Sequence, residues 1–413
     1  MSAKTLPLPA ADLEALTQTY PTPFYLYDEA QIRARTRALR QAFSWNPGFK
    51  QHFAVKALPN PTILQILREE GSGVDCASLT ELMLAERAGL SGSDIMFTSS
   101  DTPAADEQLA VKLRAIINFD GPAYIDFVQE VAGIPETVCV RYSPLHEIEG
   151  QNNIMGDSGE SKFGMRRDQI FDSLARLRDL GAKKFGVHSM LASNSLNPDY
   201  YPQLAELLFK LTVEVKQELG ISLSFLNFAG GLGIPYRPEE SELDLAQIGQ
   251  AAQERYQAIL GNTDLRPAIL TELGRYITGP AGYLVTRVLH QKETYKRYVG
   301  VDACSVNLLR PAMYGAYHHV SVVGKEQAAA TERYDVVGSL CENNDKLATG
   351  RKLPPISVGD LLVIHDAGAH GFSMGYNYNG RLKCAEILLR EDGTTQLIRR
   401  AETPEDYFAT LNF

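Results

Sequence analysis

The chain lacks the features that would commit it to several function classes. Its 413 residues carry 40 Lys and Arg against 50 Asp and Glu, a formal net charge of −10, and no run of five or more basic residues breaks that balance. Such a distribution argues against nucleic acid as a partner. No stretch of about eighteen uncharged apolar residues is present to span a bilayer. The start, Met1-Ser-Ala-Lys-Thr-Leu-Pro-Leu-Pro9, also lacks the apolar centre of a signal peptide. The expectation is a cytoplasmic protein with no membrane partner. Only five cysteines occur, Cys76, Cys139, Cys304, Cys341 and Cys384, with no CxxC and no metal-like spacing. That usage suits a reducing compartment. There is no HExxH or comparable ligand set, and the adjacent His318 and His319, read as strand residues, would face opposite ways. No metal is assigned. Low-complexity segments and sequence-similar repeats are missing too.

What is present is ordinary globular material, 44% hydrophobic and 22% charged, long enough for two domains. After a helical segment over residues 11–18 and a strand over 23–27, a regular pattern begins. Short apolar strands ending at Lys56 and covering 73–77, 95–98, 115–119, 137–141, 184–188, 223–228 and 268–272 alternate with helical periodicity. Eight strands separated by helices predict an eight-stranded parallel (β/α) barrel over residues 30–278. Beyond it, residues 285–289, 295–301, 334–337, 360–364 and 385–389 read as strands with little helix between them. Residues 1–29 plus 279–413 are therefore expected to form a β-rich domain of sandwich or barrel type.

Reactive residues in such barrels sit at the carboxyl ends of the strands. Lys56, Asp75, His188, Gly230, Glu272 and Arg275 all fall there. A lysine closing an apolar strand is either a side chain snorkelling to solvent or a desolvated amine of the kind a Schiff-base nucleophile needs. Asn227-Phe-Ala-Gly-Gly-Leu-Gly233 is either a tight turn or a backbone cradle for a phosphate, to which Ser193 could add a hydroxyl. Glu272 and Arg275 read as a salt bridge, or as a carboxylate for a heterocyclic nitrogen beside a guanidinium for a phosphate. In the β-rich region Cys341 stands beside Glu342, either as inert thiol or as part of a site, while Arg310 and Tyr314 suit a substrate carboxylate.

Taken in order, Phe53-Ala-Val-Lys56-Ala, Gly73-Val-Asp-Cys-Ala-Ser78, Ser161-Lys-Phe-Gly164, Gly230-Gly231, Glu272-Leu-Gly-Arg275, Leu309-Arg-Pro-Ala-Met-Tyr314, Cys341-Glu342 and Asp366-Ala-Gly-Ala-His-Gly371 resemble the fold-type III pyridoxal-phosphate decarboxylases, and among them diaminopimelate decarboxylase. The resemblance runs from about Pro23 to the last strand. It implies that Lys56 joins the cofactor pyridoxal 5'-phosphate covalently, with Asp75 nearby. The phosphate would be held by Ser193, the backbone of Gly230 and Gly231, Arg275 and Tyr378. Glu272 would pair with the pyridine nitrogen. Arg310, Tyr314 and Glu342 would grip the far end of an amino-acid substrate, and Cys341 or Lys56 would return a proton to Cα. Cys341 and Glu342 would come from the second subunit of a homodimer with shared active sites.

Some positions depart from the family pattern. Met190, in His188-Ser-Met-Leu-Ala-Ser193, falls where relatives carry a histidine stacked on the cofactor. The usual triple glycine is Ala229-Gly-Gly231, and the usual Cys-Glu-Ser-Gly-Asp is Cys341-Glu-Asn-Asn-Asp345. The implied reaction is decarboxylation of meso-diaminopimelate to L-lysine. A second reading is decarboxylation of another diamino or carboxylated amino acid, in siderophore, polyamine or secondary metabolism. Ornithine fits less well, since decarboxylases of that substrate carry Cys-Asp where this chain has Cys341-Glu342. An amino-acid racemase shares the barrel and the cofactor, but its resemblance to this chain would stop at the barrel lysine. A catalytically silent regulator on the same scaffold should have lost the lysine or the cysteine, yet both Lys56 and Cys341 remain.

Overall fold

The computed structural model describes residues 4–144 and 161–413, and the chain divides into two compact units. One comprises Met1–Ile32, Pro235–Glu242 and Ile277–Phe413; the other comprises Arg33–Ile234 and Leu243–Tyr276. After a first strand, β1 (Phe24–Asp28), which belongs to the former unit, the latter unit supplies eight more. These are β2 (Lys50–Ala54), β3 (Gly73–Cys76), β4 (Ile95–Phe97), β5 (Ile116–Phe119), β6 (Thr137–Arg141), β7 (Lys184–His188), β8 (Leu223–Asn227) and β9 (Ala268–Thr271), and they close as a parallel barrel. The alternation read from the sequence therefore specifies the barrel. Its strands are short and buried on both faces, which is why they appear as continuous apolar runs. Met96, Ile116, Cys139, Phe225 and Leu270 fill part of the unit's core. Gly186 permits this, because a β-carbon there would overlap the Phe225 ring.

The connection after β2 carries Lys56. The strand stops at Ala54, and Val55–Ala57 forms a single 3-10 turn. The helix Pro61–Glu69 then starts with Asn60, whose side chain accepts from Thr62 N at 3.0 Å, and with proline at the first turn. Lys56 is thus one turn beyond the strand rather than its last residue.

The β-rich unit is a nine-stranded sheet of β1, β10 (Gly282–Glu293), β11 (Arg297–Val301), β12 (Val320–Val322), β13 (Glu332–Val337), β14 (Lys346–Leu353), β15 (Leu361–Ile364), β16 (Ala385–Leu389) and β17 (Thr395–Arg399). Pairing is mostly antiparallel; β1 with β16 and β11 with β13 are the parallel pairs. Phe24 and Leu26 of β1 pack with Val285, Leu361, Val363 and Ile387 and with Leu13 of the first helix. His318 and His319 precede β12 instead of lying on a strand. The reading that they alternate across a sheet is thereby corrected; His318 is fully buried against Tyr236, and His319 faces His365. Among the described residues no helix is long and apolar enough to cross a membrane.

Candidate active site

Two groups of the expected residues can be located, one in each unit. At the carboxyl ends of the barrel strands the register aligns Ala54 with Asp75, Arg141 with His188, and His188 with Asn227. Glu272 follows β9 directly and is 6% exposed. Its Oε2 lies 3.0 Å from His188 Nε2, and its Oε1 accepts from Asn227 Nδ2 at 2.7 Å. Burial alone would push this carboxyl up; the charge and hydrogen bond of His188, with the hydrogen bond of Asn227, hold it below the usual carboxylate range. Asp75, equally buried, is driven the other way. Desolvation raises it well above the usual value, the Glu272 charge raises it further, and Lys56 only partly opposes them. The carboxyls of two neighbouring buried acids are thereby pushed in opposite directions, Glu272 down and Asp75 up.

Lys56 itself is exposed, which matches the solvent-reaching one of its two readings. It remains within electrostatic reach of Asp75 and Glu81. Ser193 Oγ and Arg275 Nη2 are 3.4 Å apart, which joins the hydroxyl and guanidinium proposed for one anion. Gly230 passes close to the Glu272 carbonyl, and Met190 Cε lies 3.8 Å from where a Gly230 β-carbon would stand. Gly231 adopts φ +109°, and a β-carbon there would overlap Tyr200.

The β-rich unit holds the rest. Cys341 is the one exposed cysteine of the five, and its N–H donates to Asn379 Oδ1 at 2.7 Å. Glu342 is also exposed. The loop is shaped by buried Asp345, which accepts from Ser305 N at 2.7 Å and from Leu340 N at 2.8 Å. Arg310 is buried over the Tyr236 ring, 5.2 Å from its centroid. Tyr314, on the same short helix Arg310–Tyr314, is half exposed, as is Tyr378.

Sequence reasoning missed three contributors at the barrel mouth. Asn227 had been seen only as the start of a glycine-rich turn, yet it binds Glu272 and also accepts from Ala229 N at 2.8 Å. Asp120 accepts from Gly164 N at 2.8 Å and from Ser100 Oγ at 2.6 Å, with Arg141 Nη1 at 3.5 Å. Arg141 in turn covers the Phe163 ring at 4.4 Å. A signal existed for Asp120 and Arg141, since each ends or follows an apolar strand.

Comparison with known proteins sets these residues in a wider context. Residues 29–279 match the family model "Pyridoxal-dependent decarboxylase, pyridoxal binding domain". Protein TabA of Pseudomonas amygdali pv. tabaci is 44% identical over 402 residues, covering 97% of this chain and 94% of that protein. The diaminopimelate decarboxylase of Methanothermobacter thermautotrophicus is 36% identical over 404 residues, with the same coverage of both chains. Among solved structures, a diaminopimelate decarboxylase from M. jannaschii superposes with TM-score 0.88 at 27% identity, over 97% of this chain and 94% of that one. The enzyme from Helicobacter pylori complexed with L-lysine gives 0.87 at 28%, over 96% and 98%.

Proposed function

Since the chain belongs to the pyridoxal-dependent decarboxylases and is an amino-acid decarboxylase of the diaminopimelate decarboxylase type, we propose that its substrate is meso-diaminopimelate and its product L-lysine. The observation that carries the chemistry is the buried Glu272, fixed by His188 at 3.0 Å and Asn227 at 2.7 Å, which hold its carboxyl down while burial pushes that of Asp75 up. The residues present fit pyridoxal phosphate. Asp75 Oδ1, His188 Nδ1 and Ser189 Oγ are buried polar atoms without a hydrogen-bond partner among the described residues, the feature a polar ligand would resolve. When bound, the cofactor supplies the electron sink that lets a Cα–carboxylate bond break.

The chain's own groups are then assigned as follows. The Lys56 amine would attach the cofactor. Ser193, Arg275, Tyr378 and the N–H groups near Gly230 and Gly231 would hold its phosphate, and the Met190 thioether would pack beside it. Glu272 would pair with its heterocyclic nitrogen. Arg310, Tyr314 and Glu342 recognise the distal carboxylate and amine of the substrate. Cys341 Sγ or Lys56 Nζ returns the proton to Cα. Exposed Cys341 and Glu342 are available to a second copy of the chain, which supports the homodimer with shared sites.

Two facts favour a second reading, decarboxylation of another diamino or carboxylated amino acid. The relative at 44% identity has a name that states no substrate, and Met190 occupies a position where a histidine is expected. The test is turnover of the cofactor-loaded protein with meso-diaminopimelate, following carbon dioxide and the amine product. Lysine formed at about 1 per second or faster supports the first reading. Normal cofactor absorbance without lysine would reject meso-diaminopimelate and leave the second.

A further inference from the structure

The β-rich unit contains a cavity of about 440 Å³ to which no role has been given. Arg237, Lys346 and Arg351 line it together with Tyr317, and none of the described lining residues is acidic. On a chain of net charge −10, three cations around one concavity run against the composition. Its lining includes none of the residues assigned to cofactor or substrate above. The arrangement is specific. The Arg351 guanidinium carbon stands 3.8 Å from the Tyr317 ring centroid and that of Arg237 stands 4.5 Å from it, so one phenol ring carries two cations.

Neutralisation of these cations is uneven. Lys346 has Asp335 at 3.5 Å, and among the described residues Arg237 has the exposed Glu239 at 4.0 Å. Arg351 Nη1 donates to the His318 carbonyl at 2.7 Å, but among the described residues no carboxylate forms an ion pair with it. Partial burial lowers its pKa, the Tyr317 hydroxyl opposes this, and the Arg237 charge lowers it further. A guanidinium held against a second one in a partly desolvated cavity is costly unless an anion shares the space. Guanidinium forks match the oxygen pairs of carboxylate and phosphate groups, and the volume is within the range of small-molecule sites.

We propose that this cavity is an additional binding site for a small dianion, with the oxyanion chemistry common to phosphate and dicarboxylates. The test is calorimetric titration of the cofactor-loaded protein with inorganic phosphate and, separately, with succinate, at low ionic strength so that screening does not mask the attraction. Saturable binding of at least one anion is expected, weakened about tenfold or more by Arg237→Gln and by Arg351→Gln. Binding of phosphate alone points to a phosphorylated ligand; binding of succinate alone points to a dicarboxylate. The Arg237 side chain is half exposed, so Arg237→Gln leaves folding intact and decides the matter if Arg351→Gln does not fold. No saturable binding by the wild type, or the same affinity in Arg237→Gln, overturns the proposal. So does a change of sedimentation in Arg237→Gln combined with no anion binding by the wild type, which would make the cavity a contact between copies.

Discussion

Asn227 donates to Glu272 Oε1 at 2.7 Å and accepts from Ala229 N at 2.8 Å. One amide thus ties the acid after β9 to the glycine turn after β8. Asn227→Ala leaves Glu272 with His188 as its remaining side-chain donor among the hydrogen bonds described and removes the turn's acceptor. The expected outcome is a loss of about 1–3 kcal/mol in unfolding free energy, with turnover reduced and cofactor affinity weakened together. Denaturation curves and cofactor titration read the two effects separately. Unchanged cofactor affinity would show that the turn does not depend on this amide.

Gly231→Ala is expected to destabilise for two separable reasons. The backbone at φ +109° strains any side chain, at about 1–3 kcal/mol, and the new methyl would overlap the Tyr200 ring. Adding Tyr200→Ala should relieve the overlap but not the backbone strain. Comparing the double variant with Tyr200→Ala alone in chemical denaturation measures the strain that remains.

Mixing of subunits tests the shared site. Lys56→Ala is expected to abolish the absorbance of the protein-linked cofactor and to lower turnover about 10⁴-fold or more, the scale for removing a covalent catalytic group. Cys341→Ala should keep that absorbance while losing turnover. If each site takes its lysine and its cysteine from different copies, an equal mixture that exchanges subunits regains about one quarter of the wild-type activity, because half the dimers are mixed and each has one intact site. Exchanged subunits with no recovered activity would place both residues on one copy.

How far the sequence could be read depended on whether the signal was local. The barrel was legible because each strand is a short buried run and the candidate residues recur at strand ends, as Asp75, His188 and Glu272 do. In the β-rich unit, β14 and β17 were missed; both lie at the sheet's edges, and Lys346–Leu353 and Thr395–Arg399 mix charged, polar and apolar residues without the apolar run or regular alternation that marks a strand. Val320–Val322 is too short to announce itself. Lys56 was assigned to a strand end because nothing in Ala54-Val-Lys56-Ala marks the onset of a 3-10 turn. Asn227 at a strand terminus reads like any turn asparagine, and its bond to Glu272 spans 45 residues. The cation pair on Tyr317 unites positions 237, 317 and 351, which no spacing rule connects.

His52 gives a pH dependence of defined sign. It is fully buried in β2, where its Nε2 donates to the Ser93 carbonyl at 3.0 Å. Burial pushes the imidazole down to about 4, the Ser93 carbonyl opposing. In the unfolded chain it titrates near 6.5. Between these values the unfolded state holds a proton that the native state lacks, so stability rises with pH through this window. The contribution is complete above about 6.5 and is lost as pH falls toward 4, about 3 kcal/mol in all. His319 and His365, lowered by burial to about 4 and about 3, act with the same sign. Glu107, pushed up to about 7 by burial and by Asp106, acts with the opposite one. The total curve therefore mixes both, and the difference between wild type and His52→Gln isolates the histidine. That difference should be flat from pH 7 to 8 and should change by about 3 kcal/mol between pH 7 and 4, the variant losing less stability on acidification. Parallel curves across that window would mean that the native state takes up the proton as readily as the unfolded chain, and that β2 does not keep His52 neutral.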